Sequence, residues 1–146
     1  MSINKRQWTA EEYAAWFASL ATKRTPTTRA GLYEIKQTSG MNYRLIGGGR
    51  EFWADGVRGQ TVLEVKLVVK PTRSPFIAGS RCPVFVQDEV EAQVRDEFDR
   101  ISVILRDEGN PLTSLCVITN DQRAAPFFDS LLRAYNLPGV VVIRPE

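Results

Sequence analysis

The sequence predicts an α/β fold with a central mixed β-sheet flanked by helices. Two helical patterns precede a cluster of strand-like runs. The second half of the 146-residue chain then alternates helix and strand, which implies parallel strands joined by crossovers. The run "QTVLEVKLVVK" is the most β-prone in the chain, rich in branched residues that suit a pleated surface. Hydrophobic content of 43% and charged content of 25% suit one folded domain of this length, residues 1–146, rather than a disordered or fibrous chain.

Thr9 and Glu12 form a capping-box pattern, and Tyr13, Trp16, Phe17 and Leu20 follow at helical spacing. They predict a helix over about residues 10–22 whose aromatics enter the core. "TKRTPTTRAG" is polar and broken by Pro26, so it reads as a loop before a second helix over Ala30–Thr38 and a turn at Gly40. Residues 1–29 thus form an N-terminal helical extension and 30–146 the core. "NYRLIGGGREFWADG" reads as a strand, a glycine turn and a second strand closed by Asp55. The simplest pairing is a hairpin that sets Asp55 beside the β-prone run that follows. In that run Val62, Glu64, Lys66 and Val68 share one face, because strand side chains alternate.

Beyond a proline-rich connection, Val90, Val94, Phe98, Ile101 and Leu105 mark one stripe of a long helix that ends near Gly109–Pro111. "SLCVIT" reads as a short buried strand. Phe127, Phe128, Leu131, Leu132 and Tyr135 outline another helix, and "GVVVIRP" closes as the last strand.

Composition removes whole classes of function. The chain has no histidine, so His-based general bases, catalytic triads and His-ligated zinc are excluded. Carboxylate and lysine chemistry remains, the toolkit of oxygen-ligated Mg²⁺ sites. Cys82 and Cys116 are the only cysteines, and a lone pair in a domain of this size is expected as reduced thiols working in a cytosol. A net charge of +2 provides no wholesale basic coat. No apolar run is long enough to span a membrane, and the N-terminus lacks a Sec-type signal pattern.

Asp55, Glu64 and Lys66 form the constellation with chemical content. Two residues along a strand place Glu64 and Lys66 roughly 6.6 Å apart at the backbone, near enough to serve one small site. Val62 and Val68 flank the two charges on their face, which points to enclosure rather than a solvated ion pair. Glu34-Ile35-Lys36 also has an acid-x-Lys spacing, but it lies in a helical segment and follows no strand-closing acid.

These residues, in this order of elements, resemble the PD-(D/E)xK phosphodiesterase superfamily and its αβββαβ restriction-endonuclease-like core, over roughly residues 30–146. "DGVRGQTVLEVK" looks most like the restriction-endonuclease-fold toxin domains of bacterial polymorphic toxins, with Ala54 where the superfamily has its proline. The resemblance implies Mg²⁺- or Mn²⁺-dependent cleavage of DNA, with Asp55 and Glu64 on the metal and Lys66 positioning the attacking water. It implies delivery from a producing bacterium into a target cytoplasm, and a cognate immunity protein. It also implies an acid on the helix before the sheet, which singles out Glu34, and a polar residue from the long helix, for which Gln93 is the candidate. Lys70, Arg73 and Arg81 follow the motif strand and are candidates for substrate phosphates, and Trp53 is a candidate for base stacking. The competing readings are a non-catalytic α/β interaction or immunity module, in which Glu64 and Lys66 are a structural ion pair, and a housekeeping DNA-repair nuclease.

Overall fold

The computed structural model describes residues 2–146. The capping box at Thr9 is formed: Thr9 Oγ1 accepts from the Glu12 N–H at 3.1 Å, and Glu12 Oε1 accepts from the Thr9 N–H at 3.0 Å. It starts α1 (Ala10–Ser19), which is shorter than the sequence pattern predicts. The chain beyond Leu20 is instead drawn into a strand, β1 (Thr22–Arg24), which pairs antiparallel with β2 (Met41–Gly47). The predicted helical extension therefore includes a strand. The α1 aromatics pack at the margin of the core rather than inside it, with Phe17 5.1 Å from the Tyr43 ring.

Thr28 caps α2 (Arg29–Gln37) by accepting from the Gly31 N–H. β2 and β3 (Arg50–Ala54) form the hairpin expected from the glycine run. Gly48 and Gly49 both adopt positive φ, 56° and 77°, as the favoured two-residue hairpin turn requires. β4 (Gly56–Arg58) and β5 (Thr61–Lys66) form a second antiparallel hairpin. Then come α3 (Val84–Arg106), β6 (Ser114–Thr119), α4 (Ala125–Ala134) and β7 (Gly139–Ile143).

The strands form two sheets, β1-β2-β3 and the mixed β4-β5-β6-β7. β5, β6 and β7 run parallel, connected through α3 and α4, as the alternation in the sequence predicts. The expected direct pairing between the strand closed by Asp55 and the motif strand is corrected. β3 pairs with β2, and the antiparallel neighbour of β5 is β4. Asp55 is the single residue between β3 and β4, the bend at which one nearly continuous strand leaves the first sheet and enters the second. β5 also ends at Lys66, earlier than its apolar run suggests.

Of the predicted stripe of α3, Val94, Phe98, Ile101 and Leu105 are buried, joined by Ile104, while Val90 is only half-buried against the core. The helix packs on β2, β3 and α4, in one core cluster with Leu45, Phe52, Phe128 and Leu131. Phe98 is fully enclosed, so deleting its ring would cost about 3–5 kcal/mol. This packing fixes the height of α3 beside the bend at Asp55.

Candidate active site

The bend and the motif strand are stitched together by their own acids. Glu64 Oε1 accepts from the Asp55 N–H at 3.2 Å, and Asp55 Oδ2 accepts from the Val65 N–H at 2.7 Å. Each carboxylate thus satisfies a backbone donor on the other segment, replacing ladder bonds that the bend removes. One oxygen of each acid is committed to the fold. Period-two alternation carries Lys66 to the Glu64 side of β5, with its Nζ 3.9 Å from Glu64 Oε2.

Two further acids close the group. Glu97 on α3 accepts from Lys66 Nζ at 2.8 Å. Glu34 on α2 accepts from Thr25 Oγ1 at 3.3 Å and lines the same cavity as Asp55. Glu34, Asp55, Glu64, Lys66 and Glu97 line one cavity of about 330 Å³, with Trp53 and Arg100 also on its wall. A larger cavity of about 680 Å³ lies between the Pro75–Gly79 segment and the starts of α3 and α4. Its lining is mainly apolar, with Phe76 and Phe127 beside Asp88 and Glu91. Convergent ionisable groups identify a reactive site better than size does, and these gather in the smaller cavity.

Enclosure without enough positive charge perturbs Glu34, Asp55 and Glu64. Burial, then the neighbouring Asp55, pushes Glu34 up to about 8. Burial also raises Asp55, against the pull of the Val65 N–H and Lys66. Glu64, 3% exposed, is raised well above the usual carboxylate range by burial and then by Asp55. Burial alone would lower Lys66, yet Glu64, Glu97 and Asp55 together hold its ammonium above its ordinary value. Four carboxylates thus face one lysine and one arginine, and the cavity makes up the difference by retaining protons.

A divalent cation would relieve the same imbalance. The donors are all carboxylate oxygens, which suit Mg²⁺ or Mn²⁺ rather than a softer metal. Among the described residues no group of three or more acids, histidines or cysteines forms a ready metal cage. Mg²⁺ needs none, since one or two carboxylates plus water and phosphate oxygens complete its shell. Asp55 and Glu64 fit that role, with Glu34 adjoining.

The other sequence candidates fall elsewhere. Lys70 and Arg73 line a separate cavity of about 290 Å³ around Leu67–Phe76. Arg81 is exposed in the loop before α3. Gln93 is exposed and does not line the acidic cavity. Glu97, one turn further along the same face of α3, reaches the site instead. A helical turn covers 5.4 Å, so Gln93, the candidate that the resemblance supplied, shares the face of Glu97 but stands one turn away from the cavity.

A family model described as restriction endonuclease fold toxin 2 matches residues 30–138, from the first turn of α2 to the threshold of β7. No curated protein and no solved structure gives a significant match.

Proposed function

This chain belongs to the restriction endonuclease fold toxin 2 family, and from that premise we propose that it is a metal-dependent DNA endonuclease of the PD-(D/E)xK type. The observation that carries the reading is the convergence of Asp55, Glu64 and Lys66, with Glu34 and Glu97, on one cavity. Such an array has a stated use in phosphodiester hydrolysis and makes a costly structural ion pair, because buried charges without full pairing destabilise a fold.

Asp55 and Glu64 would hold Mg²⁺ or Mn²⁺. When bound, such an ion polarises a phosphoryl oxygen and makes bound water more acidic. Lys66, anchored by Glu97 at 2.8 Å, orients the attacking water and sets positive charge where negative charge develops on the phosphorane. The backbone bonds between the bend and β5 hold these groups in register, so little reorganisation is needed when substrate arrives.

The biological reading is a bacterial antagonistic toxin that acts on DNA in the cytoplasm of a target cell and is neutralised in its producer by a cognate immunity protein. Family membership supports it. Plasmid incubation with Mg²⁺, Mn²⁺ or EDTA tests the chemistry: cleavage with either metal, none with EDTA, and none from Glu64→Ala or Lys66→Ala proteins that keep the wild-type circular dichroism spectrum. Retained cleavage in both variants refutes the assignment. Expression in a bacterial host should arrest growth for the wild type and not for Lys66→Ala.

A further inference from the structure

Beside the acidic cavity, the β1-β2-β3 sheet has a face of a different character. Tyr43, Leu45, Phe52 and Ala54 are buried, so alternation sends Arg44 and Trp53 to the opposite face. There the two are cross-strand partners. The exposed Lys23 reaches across from β1, with its Nζ 4.2 Å from the centroid of the Trp53 ring. Arg44 pairs with Glu51 through an ion pair whose side chains are 40% and 54% exposed. Trp53 also lies on the wall of the acidic cavity, two residues before Asp55, roughly 6.6 Å along extended chain.

We infer that Trp53, Lys23 and Arg44 form a platform for an unpaired stretch of nucleic acid, with one base stacked on the indole and neighbouring phosphates on the two cations. The inference deepens the nuclease reading and rests on it for what happens to the strand next. An indole offered on a sheet surface needs a base with its own flat face free, and a duplex hides both faces of every internal base. The charge points the same way. Two cations at the platform and a net charge of +2 over the chain are too few to track a duplex backbone, whose affinity comes from many phosphate contacts.

Lys23 already covers the ring, but its hold is weak. A surface cation over an indole is worth only about two- to fivefold in affinity, while stacking one base is worth about fivefold to a hundredfold. A base therefore displaces the ammonium, which is then free for an adjacent phosphate. The Arg44–Glu51 pair is exposed on both sides and yields to a phosphate for the same reason. A nucleotide stacked on Trp53 sets the next phosphodiester at the mouth of the acidic cavity.

Fluorescence anisotropy of labelled oligonucleotides on the wild-type protein in EDTA measures this apart from cleavage. Single strands are expected to bind at least tenfold more tightly than the duplex of the same sequence. The slope of log K against log salt should be about −1.4, the value for two phosphates on a single strand. Trp53→Ala should weaken single-strand binding about tenfold while Trp53→Phe retains most of it, and Lys23→Ala should reduce the slope by about half. A preference for RNA over DNA single strands would keep the platform and change the sugar it serves. Equal affinity for duplex and single strand, or no loss with Trp53→Ala, would overturn the inference. A protein that binds single strands through Trp53 but shows no EDTA-sensitive cleavage would leave the platform standing and remove the nuclease.

Discussion

Two acid-x-lysine triplets in this chain, Glu34-Ile35-Lys36 and Glu64-Val65-Lys66, have the same spacing and opposite outcomes. In β5 residues two apart share a face, so Glu64 and Lys66 meet in the cavity. On α2 residues two apart diverge by about 200° around the axis. Glu34 enters the cavity, while Lys36 is exposed beside Arg29 and Glu146. The cavity thus takes the acid of both triplets and the lysine of one. A short motif acquires chemical meaning from the period of the element that carries it.

The largest expected effect separates the two lysines. Lys66→Ala should lower plasmid cleavage by about 10²–10³-fold, the usual scale for losing a charge-stabilising group, whereas Lys36→Ala should leave cleavage within twofold. Equal losses would make both triplets matter only through folding. Glu97→Gln should cost about tenfold and move the alkaline limb of the pH–rate profile to lower pH, because Glu97 helps hold the Lys66 ammonium above its ordinary value. An unchanged profile would reduce Glu97 to packing.

Thermal melts resolve a smaller effect. Glu34 rises from an ordinary 4.5 to about 8 in the fold, so between those values the folded chain keeps a proton that the unfolded chain has lost. Stability therefore falls as pH rises through this window, the reverse of a salt-bridged acid. Asp55 and Glu64 shift in the same direction. In EDTA the melting temperature should be lower at pH 8 than at pH 5, and Mg²⁺ should recover more of it at pH 8. The smallest change is Glu34→Gln, which removes one repelled carboxyl and should raise the metal-free melting temperature by about 3 °C. A fall would show that Glu34 is needed where it stands through its bond with Thr25.

Much of this arrangement is readable from residue order because it follows local periodicity. The capping box of α1, the glycine hairpin, the buried stripe of α3 and the shared face of Glu64 and Lys66 all follow from spacing alone. What escaped is non-local. β1 is three exposed residues, Thr22, Lys23 and Arg24, held by an edge of β2 rather than by any apolar pattern. The split into two sheets depends on a bend at Asp55, which the sequence marks only by a following glycine. Glu97 stands on the face that Gln93 indicated, but its height depends on how deeply Phe98 and Ile101 seat against β2 and β3.

The bend at Asp55 has one more consequence. The cavity draws its ionisable groups from α2, from the junction of the two sheets, from β5 and from the middle of α3, elements spread over more than sixty positions. No shorter fragment holds the whole set, and no single hairpin brings it together. The cavity is therefore complete only when both sheets, α2 and α3 are in place. A chain still being synthesised does not present the acidic cavity until both sheets have docked.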